Sequence, residues 1–306
     1  METHERRIEA QFYRAHGLGN DYLVFEASAP GEEGGWALSP QAVQAICRRG
    51  TGEGSDGIVV LMENEPPAGD PFPLRMFNPD GSEFERSGNG LRILASFLRR
   101  TDRVGSEPFL VRSGGRPIEM TVHGVEPGGI YDVSVRMGRA RPTPAAVELE
   151  GSRLVGQVGI GGSARLFHPR LGPVEFQPVS VGNPHAVVFT DDLSESNLRE
   201  VGSFLTGHPA FRAGTNVQLA RVEGSGRLRI AIWERGVGRT PASGTSSCAA
   251  AVAAVHQGRI LPGSVEVGME GGTLQVSVGR DLEVVLRGPV QEVCVGRLTA
   301  GFLATL

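Results

Sequence analysis

Two stretches of the sequence place a Ser-Gly pair directly before a helical pattern. Glu85 to Arg92 reads ERSGNGLR, and Pro241 to Cys248 reads PASGTSSC. Serine is favoured at the N-cap of a helix. The first turn that follows presents unpaired backbone N–H groups and the positive end of the helix dipole. Each half of the chain therefore carries a candidate anion-binding helix start.

The sequence around these pairs repeats as well. His16 to Phe25 (HGLGNDYLVF) and Val179 to Phe189 (VSVGNPHAVVF) each give a Gly-Asn turn followed by an apolar strand. Leu74 to Leu98 and Leu228 to Val255 each give a strand, a loop, the Ser-Gly pair and a helix. Recurrence at a long interval predicts two similar lobes that arose from a doubled unit.

The boundary between the lobes is expected in the polar, Pro/Gly-rich stretch 139–151, with 162–172 as the alternative. We therefore predict an N-terminal lobe of residues 1–145 and a C-terminal lobe of residues 146–306, whose last strands could cross back to the first lobe.

Short segments of alternating polar and apolar residues, ended by Gly or Pro, predict antiparallel strands through much of the chain. Four helices are predicted: Pro40 to Arg49, Gly90 to Arg100, Glu195 to Thr206 and Ser246 to Gln257. The predicted fold class is α+β, with two pseudo-symmetric lobes. Each lobe is a curled, mostly antiparallel sheet around a central helix, and the active site is expected in the cleft between the lobes.

Composition excludes several functional classes. The 306 residues carry a formal net charge of -4 and no basic block, so nucleic acid and anionic membranes are poor partners. The longest apolar run, Ala249 to Val255, is too short to cross a bilayer, and residues 1–10 lack the apolar core of a signal peptide. A cytoplasmic location is expected.

Cysteine and histidine spacing gives no sign of a metal site. Cys47, Cys248 and Cys294 form neither a paired framework nor a zinc motif, and the seven histidines are scattered. We expect all three cysteines to be small buried residues.

Polar residues in the loops near the two helix starts suit a small zwitterion with a charged group at each end. Amide side chains donate and accept without titrating, and an arginine can hold a second carboxylate with two hydrogen bonds. These candidates are Asn20, Asn78, Asn183, Asn216, Glu234 and Arg235.

The same motifs resemble the diaminopimelate epimerase family, in order and over nearly the whole chain. They are HGLGNDYLVF, FNPDGSEFERSGNG, SVGNPHAVVF, GTNV, WERGVGRTPASGTSSCAAA and the terminal GGTLQVSV with LEVVLRGP. The resemblance implies a homodimer that converts LL-diaminopimelate to the meso form in lysine and peptidoglycan biosynthesis, without pyridoxal phosphate or a metal. In that family one cysteine thiolate removes the α-proton and a second thiol returns one.

The resemblance also implies roles for individual residues. The reacting α-carboxylate would be held at the two helix starts, by Gly88 with Asn89 and by Gly244 with Thr245. The distal carboxylate would be held by Arg235, Asn78, Asn183 and Asn216, and the distal amine by Glu234. His185 and Glu234 stand where the family places groups that assist the thiols, and Asn20 belongs to the same shell.

The chain departs from the family at both catalytic positions, where Ser87 and Ser243 replace the cysteines. Cys248 corresponds to a cysteine deeper in the helix, and Arg239 stands where the family commonly has Glu. Three interpretations are open. The serines were introduced, naturally or by engineering, into an epimerase whose binding site is intact; or serine assisted by His185 isomerises or dehydrates another amino acid; or the protein binds a dicarboxylic amino acid without chemistry.

Overall fold

The computed structural model describes residues 7–28 and 35–306, so residues 1–6 of the N-terminal stretch METHERRIEA lie outside the described residues. The chain divides into two compact units. Unit 1 comprises Met1–Val135 and Gly288–Leu306, and unit 2 comprises Arg136–Arg287.

Unit 1 contains strands from both ends of the chain. Its strands are β1 (Arg7–Gly17), β2 (Asn20–Ala27), β3 (Trp36–Ala37), β4 (Ile58–Leu61), β5 (Phe72–Phe77), β6 (Glu83–Phe84), β7 (Phe109–Ser113), β8 (Arg116–Glu126), most of β9 (Ile130–Arg139) and the end of β18 (Glu283–Arg297). Its helices are α1 (Pro40–Cys47), α2 (Gly88–Arg100) and, near the C-terminus, the short helix Ala300–Leu303.

Unit 2 repeats the same order of elements. Its strands are β10 (Ala164–His168), β11 (Gly172–Ser180), β12 (Pro184–Phe189), β13 (Asn216–Gly224), β14 (Arg227–Glu234), β15 (Gly238–Thr240), β16 (Gly263–Met269), β17 (Gly272–Val278) and the first part of β18 (Glu283–Arg297). Its helices are α3 (Glu195–Thr206) and α4 (Gly244–His256), with short 3-10 turns at Pro144–Val147, Gly151–Arg153 and Ile160–Gly162.

The strand pairing is the same in the two units. In unit 1, β1, β2, β4, β5, β7, β8 and β9 pair in that order as antiparallel, parallel, antiparallel, parallel, antiparallel and antiparallel neighbours. In unit 2, β11, β12, β13, β14, β16, β17 and β18 follow the same sequence of pairings. The two halves thus share one topology, as the repeated motifs predict.

Each unit wraps its sheet around one helix. In α2 every residue from Gly88 to Leu98 is buried, and the helix contacts β1, β2, β4 and β8. In α4 nearly every residue up to Val255 is buried, and the helix contacts strands β11 to β14, β16 and β17. The small residues Ala249, Ala250 and Ala251 of α4 are fully buried. A helix that is buried on all sides in this way has no polar face. The predicted α+β class and the central helices are confirmed.

The predicted elements are found with small shifts of their ends. Helix α3 has the predicted bounds, whereas α2 and α4 each begin two residues earlier, because Ser87 and Ser243 are themselves the N-caps. FLVRS, GSVEVGM and the first seven residues of GTLQVSVG form β7, β16 and β17. The matched Gly19-Asn20 and Gly182-Asn183 turns both have glycine at positive φ, 91° and 112°, a conformation that costs glycine little.

The division of the chain does not fall at the predicted boundary between the lobes. It falls at Val135, inside β9, ten residues before the predicted boundary at residue 145, and β9 continues through that point as one strand. Residues 288–306 belong to unit 1 because the end of β18 pairs with β1, from Gln11 with Arg297 to His16 with Gln291.

The prediction for the cysteines holds for two of the three. Cys47 and Cys248 are buried, but Cys294 is exposed, so its predicted burial is wrong. Cys294 lies in a segment of β18, residues 293–295, in which every residue is exposed. Within the described ranges, no helix has both the length and the apolar character needed to cross a membrane.

Candidate active site

The two serines cap the two central helices. Ser87 has extended backbone angles, and its Oγ accepts a hydrogen bond from Gly90 N at 3.0 Å. Ser243 has the same conformation, and its Oγ accepts from Ser246 N at 3.5 Å. Each side-chain oxygen therefore faces amide N–H groups at the positive end of a helix. Negative charge on either oxygen would be stabilised there.

Tyr22 lies beside the first of these serines. Ser87 Oγ donates to Tyr22 Oη at 3.3 Å. The ring is held closely, since a Cβ added at Gly57 would lie 2.4 Å from Tyr22 Cε1 and one at Gly90 would lie 3.4 Å from it. Two glycines thus let this aromatic ring reach the start of α2.

Asn20 and Asn89 are brought together in unit 1. Asn89 Nδ2 donates to Asn20 Oδ1 at 2.8 Å, and Asn20 Nδ2 donates to Asp56 Oδ2 at 2.9 Å. The guanidinium of Arg92, which is fully buried, donates to Asn89 Oδ1 at 2.5 Å and to Gly88 O at 3.2 Å. The first turn of α2 is therefore fixed by side chains on both of its sides, with a permanent positive charge next to it.

The side chain of Asn78 is hydrogen-bonded to Ser82 and not to Asn20 or Asn89. It follows β5, and its Nδ2 donates to Ser82 Oγ at 2.9 Å while its backbone N donates to Ser82 O. These bonds close a turn, which is the ordinary structural role of an asparagine at such a position.

In unit 2 the structure brings together His185, on β12, and Asn183, which directly precedes that strand. His185 Nε2 lies 2.9 Å from Asn183 Oδ1, and Nδ1 lies 3.0 Å from Gln218 Nε2. Both ring nitrogens are thus engaged by amide side chains. The pKa of His185 is lowered to about 3, mainly because an imidazolium loses its hydration inside the protein and to a smaller extent because of the charge of Arg235. His185 is neutral at physiological pH.

Asn216, Arg235 and Glu234 form a second cluster in unit 2. Asn216 Oδ1 accepts from Arg235 N at 3.0 Å, and its Nδ2 donates to Pro184 O at 3.3 Å. Glu234 Oε2 accepts from Thr240 Oγ1 at 3.2 Å. Asn216 therefore joins β12 to the end of β14, while the Arg235 side chain, exposed to solvent, donates to Ala213 O.

Gly244 and Thr245 are the first two residues of α4, and Cys248 lies deeper in it. Cys248 is fully buried. The other departure from the family, Arg239, is exposed and pairs with Glu270 at 2.8 Å.

Sequence reasoning missed Tyr22, Gln218 and Asp56. A signal for the first two existed, because side chains two apart on a strand share a face. Tyr22 stands two residues after Asn20 on β2, and Gln218 stands two after Asn216 on β13.

Chemically, each unit offers backbone amides at a helix start, a hydroxyl at its cap and a set of amide and charged side chains. Such groups bind a carboxylate and stabilise developing negative charge. No group of three or more His, Cys, Asp or Glu residues suited to a metal ion occurs in the described parts of the chain.

Comparison with solved structures agrees with the fold. A predicted epimerase from Pseudomonas aeruginosa matches with a TM-score of 0.66 at 16% identity, over 95% of this chain and all of the other. A hydroxyproline epimerase from Agrobacterium vitis matches with a TM-score of 0.66 at 15% identity, over 96% of this chain and 93% of the other.

Sequence comparison gives the family. The diaminopimelate epimerase family model matches residues 12–142 and 178–293. The diaminopimelate epimerase of Desulforudis audaxviator is 37% identical over 94% of this chain and 98% of its own length. Diaminopimelate epimerase 2 of a Nostoc species is 34% identical over 96% and 97%. The chain therefore belongs to the diaminopimelate epimerase family.

Proposed function

We propose that this protein is an amino-acid epimerase that interconverts LL- and meso-diaminopimelate, with Ser87 and Ser243 as the proton-exchanging groups. The observation that carries the proposal is the placement of both hydroxyls. Each caps a central helix with its oxygen facing amide N–H groups.

Binding is assigned to both units. The amides of Gly88 and Asn89 and those of Gly244 and Thr245 offer hydrogen bonds to the α-carboxylate. The distal carboxylate is assigned to Arg235 and to the asparagines 78, 183 and 216, and the distal amine to Glu234. Asn20 supports Asn89 through a hydrogen bond. The helix starts can hold an anion because their N–H groups have no partner within the helix.

Serine should make this epimerase slow. A helix start stabilises a negative charge by up to about 2 kcal/mol, which corresponds to a fall in pKa of roughly 1.5 units. That is too little to ionise a hydroxyl near neutral pH. His185 is a neutral ring bonded to Asn183 and Gln218, so in this proposal it orients the site and does not act as the base of Ser243.

The test follows LL-diaminopimelate in D2O. We expect α-deuterium and the meso isomer to accumulate above the protein-free rate, and Ser87→Ala or Ser243→Ala to abolish both. Ser194→Ala is the matched control, because Ser194 caps α3 in the same way. An exchange rate equal to the protein-free rate, or equal loss in the control, would contradict the proposal.

A second arm concerns the distal end of the substrate. Lysine has both amino groups but lacks the distal carboxylate, so it should bind at least about tenfold more weakly than diaminopimelate, since the charged hydrogen bonds between that carboxylate and Arg235 are lost. Equal affinities in calorimetry would count against the assignment of Arg235.

We also propose that the protein acts in the cytoplasm as a homodimer, within lysine biosynthesis, without nucleic acid or membrane partners. Cys47, Cys248 and Cys294 are not joined in disulfides, which suits a reducing compartment. Sedimentation velocity should give the mass of two chains, and a single-chain mass at micromolar concentration would refute the dimer.

A further inference from the structure

Gln218 is a buried polar residue that the proposed reaction does not yet use. It lies on β13, and none of its surface is exposed. Its Nε2 is 3.0 Å from His185 Nδ1 and 3.0 Å from Ser246 Oγ. Among the described residues, its Oε1 has no hydrogen-bond partner.

The surroundings decide which way the Gln218 amide points. With Nε2 between His185 and Ser246, both of its hydrogens are used, and one carbonyl oxygen is left unpaired. The reversed amide would leave two buried N–H groups unpaired instead. A buried N–H without an acceptor is rarer in proteins than an under-satisfied carbonyl. The orientation with Nε2 as the double donor is therefore the stable one.

This orientation determines the proton position on His185. Since Gln218 donates to Nδ1, that nitrogen must carry the lone pair, and the proton of the neutral ring is on Nε2. Nε2–H then donates to Asn183 Oδ1 at 2.9 Å.

The Asn183 amide is oriented in turn. Its carbonyl oxygen is occupied by His185, so its Nδ2 group, which has no partner among the described residues, is the part left for a ligand. We propose that Gln218 is a positioning residue: through His185 it makes Asn183 present N–H donors, and not a carbonyl oxygen, to the substrate carboxylate.

Gln218 also connects this chain of bonds to the start of α4. Its second hydrogen goes to Ser246 Oγ, and Ser246 N donates to the Oγ of Ser243. The residue that orients Asn183 therefore also supports the turn that carries the reacting hydroxyl.

The first experiment needs no substrate. Ring 15N shifts of His185 should show a neutral Nε2–H tautomer in the unsubstituted protein. Gln218→Glu replaces the donor with an acceptor, so Nδ1 should become protonated. Gln177→Leu is the matched control, because Gln177 is equally buried in unit 2 but donates to the backbone of Pro142 and Pro178. It should leave the ring signals unchanged.

The second experiment is a double-mutant cycle on diaminopimelate affinity, and this arm alone rests on the proposed function. Gln218→Leu should raise Kd about fivefold, the value of one neutral hydrogen bond. In an Asn183→Ala background it should raise Kd clearly less, because the larger part of its effect passes through Asn183. Equal effects in both backgrounds would mean a merely structural role.

The two arms separate the possible failures. An Nδ1–H tautomer in the unsubstituted protein, or unchanged Nδ1 in Gln218→Glu, overturns the inference whatever the ligand. Absence of diaminopimelate binding to the unsubstituted protein refutes the proposed function instead, and the ring signals still decide the role of Gln218.

Discussion

Replacing Ser87 and Ser243 together by cysteine should turn a slow epimerase into a fast one. The introduced sulfur would take the place of an oxygen that already faces an amide N–H, at 3.0 Å in α2 and 3.5 Å in α4. A thiol with a pKa near 8.5, lowered by about 1.5 units at a helix start, is about 90% thiolate at pH 8. A hydroxyl has a pKa far above that of a thiol, so after an equal lowering it is ionised to only about one part in a million.

The gain in rate is smaller than this ratio. The alkoxide is rarer than the thiolate, but it is the stronger base. With a Brønsted slope of about 0.4–0.5 over roughly seven pKa units, each alkoxide removes the proton about a thousandfold faster than each thiolate. The net expectation is about a thousandfold faster α-proton exchange at pH 8, from a millionfold gain in ionised base less that thousandfold loss in basicity.

The assay measures deuterium incorporation into LL-diaminopimelate by mass spectrometry, with a reductant present to keep the thiols reduced. Ser194→Cys, at the cap of α3, is the matched control and should gain nothing. A double variant with unchanged circular dichroism and intact diaminopimelate binding, but exchange no faster than the unsubstituted protein, would refute the reasoning about base ionisation.

Three further predictions concern stability. Gly57→Ala should lower the free energy of unfolding by about 1–3 kcal/mol in denaturant titrations, because its Cβ would lie 2.4 Å from Tyr22. Gly50→Ala is the control and should change this free energy little, since its Cβ would have nothing within 4 Å. Equal losses in the two variants would contradict the steric argument. Ser243→Ala should cost about 1 kcal/mol through loss of the α4 cap, with Ser243→Thr largely restoring it, and a melting temperature unchanged in the alanine variant would dispose of the cap. Because the pKa of His185 is lowered in the folded protein, the unfolded chain binds a proton there below pH 6.5, whereas the folded protein binds it only near pH 3. Stability should therefore fall by about 2 kcal/mol from pH 7 to pH 5, and a His185→Gln variant with the same pH dependence would show that other groups are responsible.

Local patterns sufficed to predict most elements of the fold. The turn-and-strand plan of HGLGNDYLVF and VSVGNPHAVVF needed only neighbouring residues, and both turns have glycine at positive φ. The division inside β9 and the pairing of β1 with β18 could not be read in this way, because they depend on contacts between residues far apart in sequence.

The candidate site, too, could be predicted from the sequence only where it depends on neighbouring residues. The capping roles of Ser87 and Ser243 follow from the residues themselves. The bond between Gln218 and His185 does not, since it depends on the parallel register that sets His185 opposite Asn216. The buried guanidinium of Arg92 was equally hidden, because an arginine in a helical pattern is ordinarily solvated.

The pairing of β1 with residues 291–297 affects how the protein is made. A ribosome releases β1 long before that partner strand exists, so the backbone edge of β1 that pairs with it has no partner during synthesis. The same strand carries apolar side chains such as Phe12 and Tyr13, which are buried in the folded protein. Unit 2, continuous from Arg136 to Arg287, can form first. Nascent chains should therefore need shielding of this edge, and C-terminal truncations that remove residues 291–297 should aggregate.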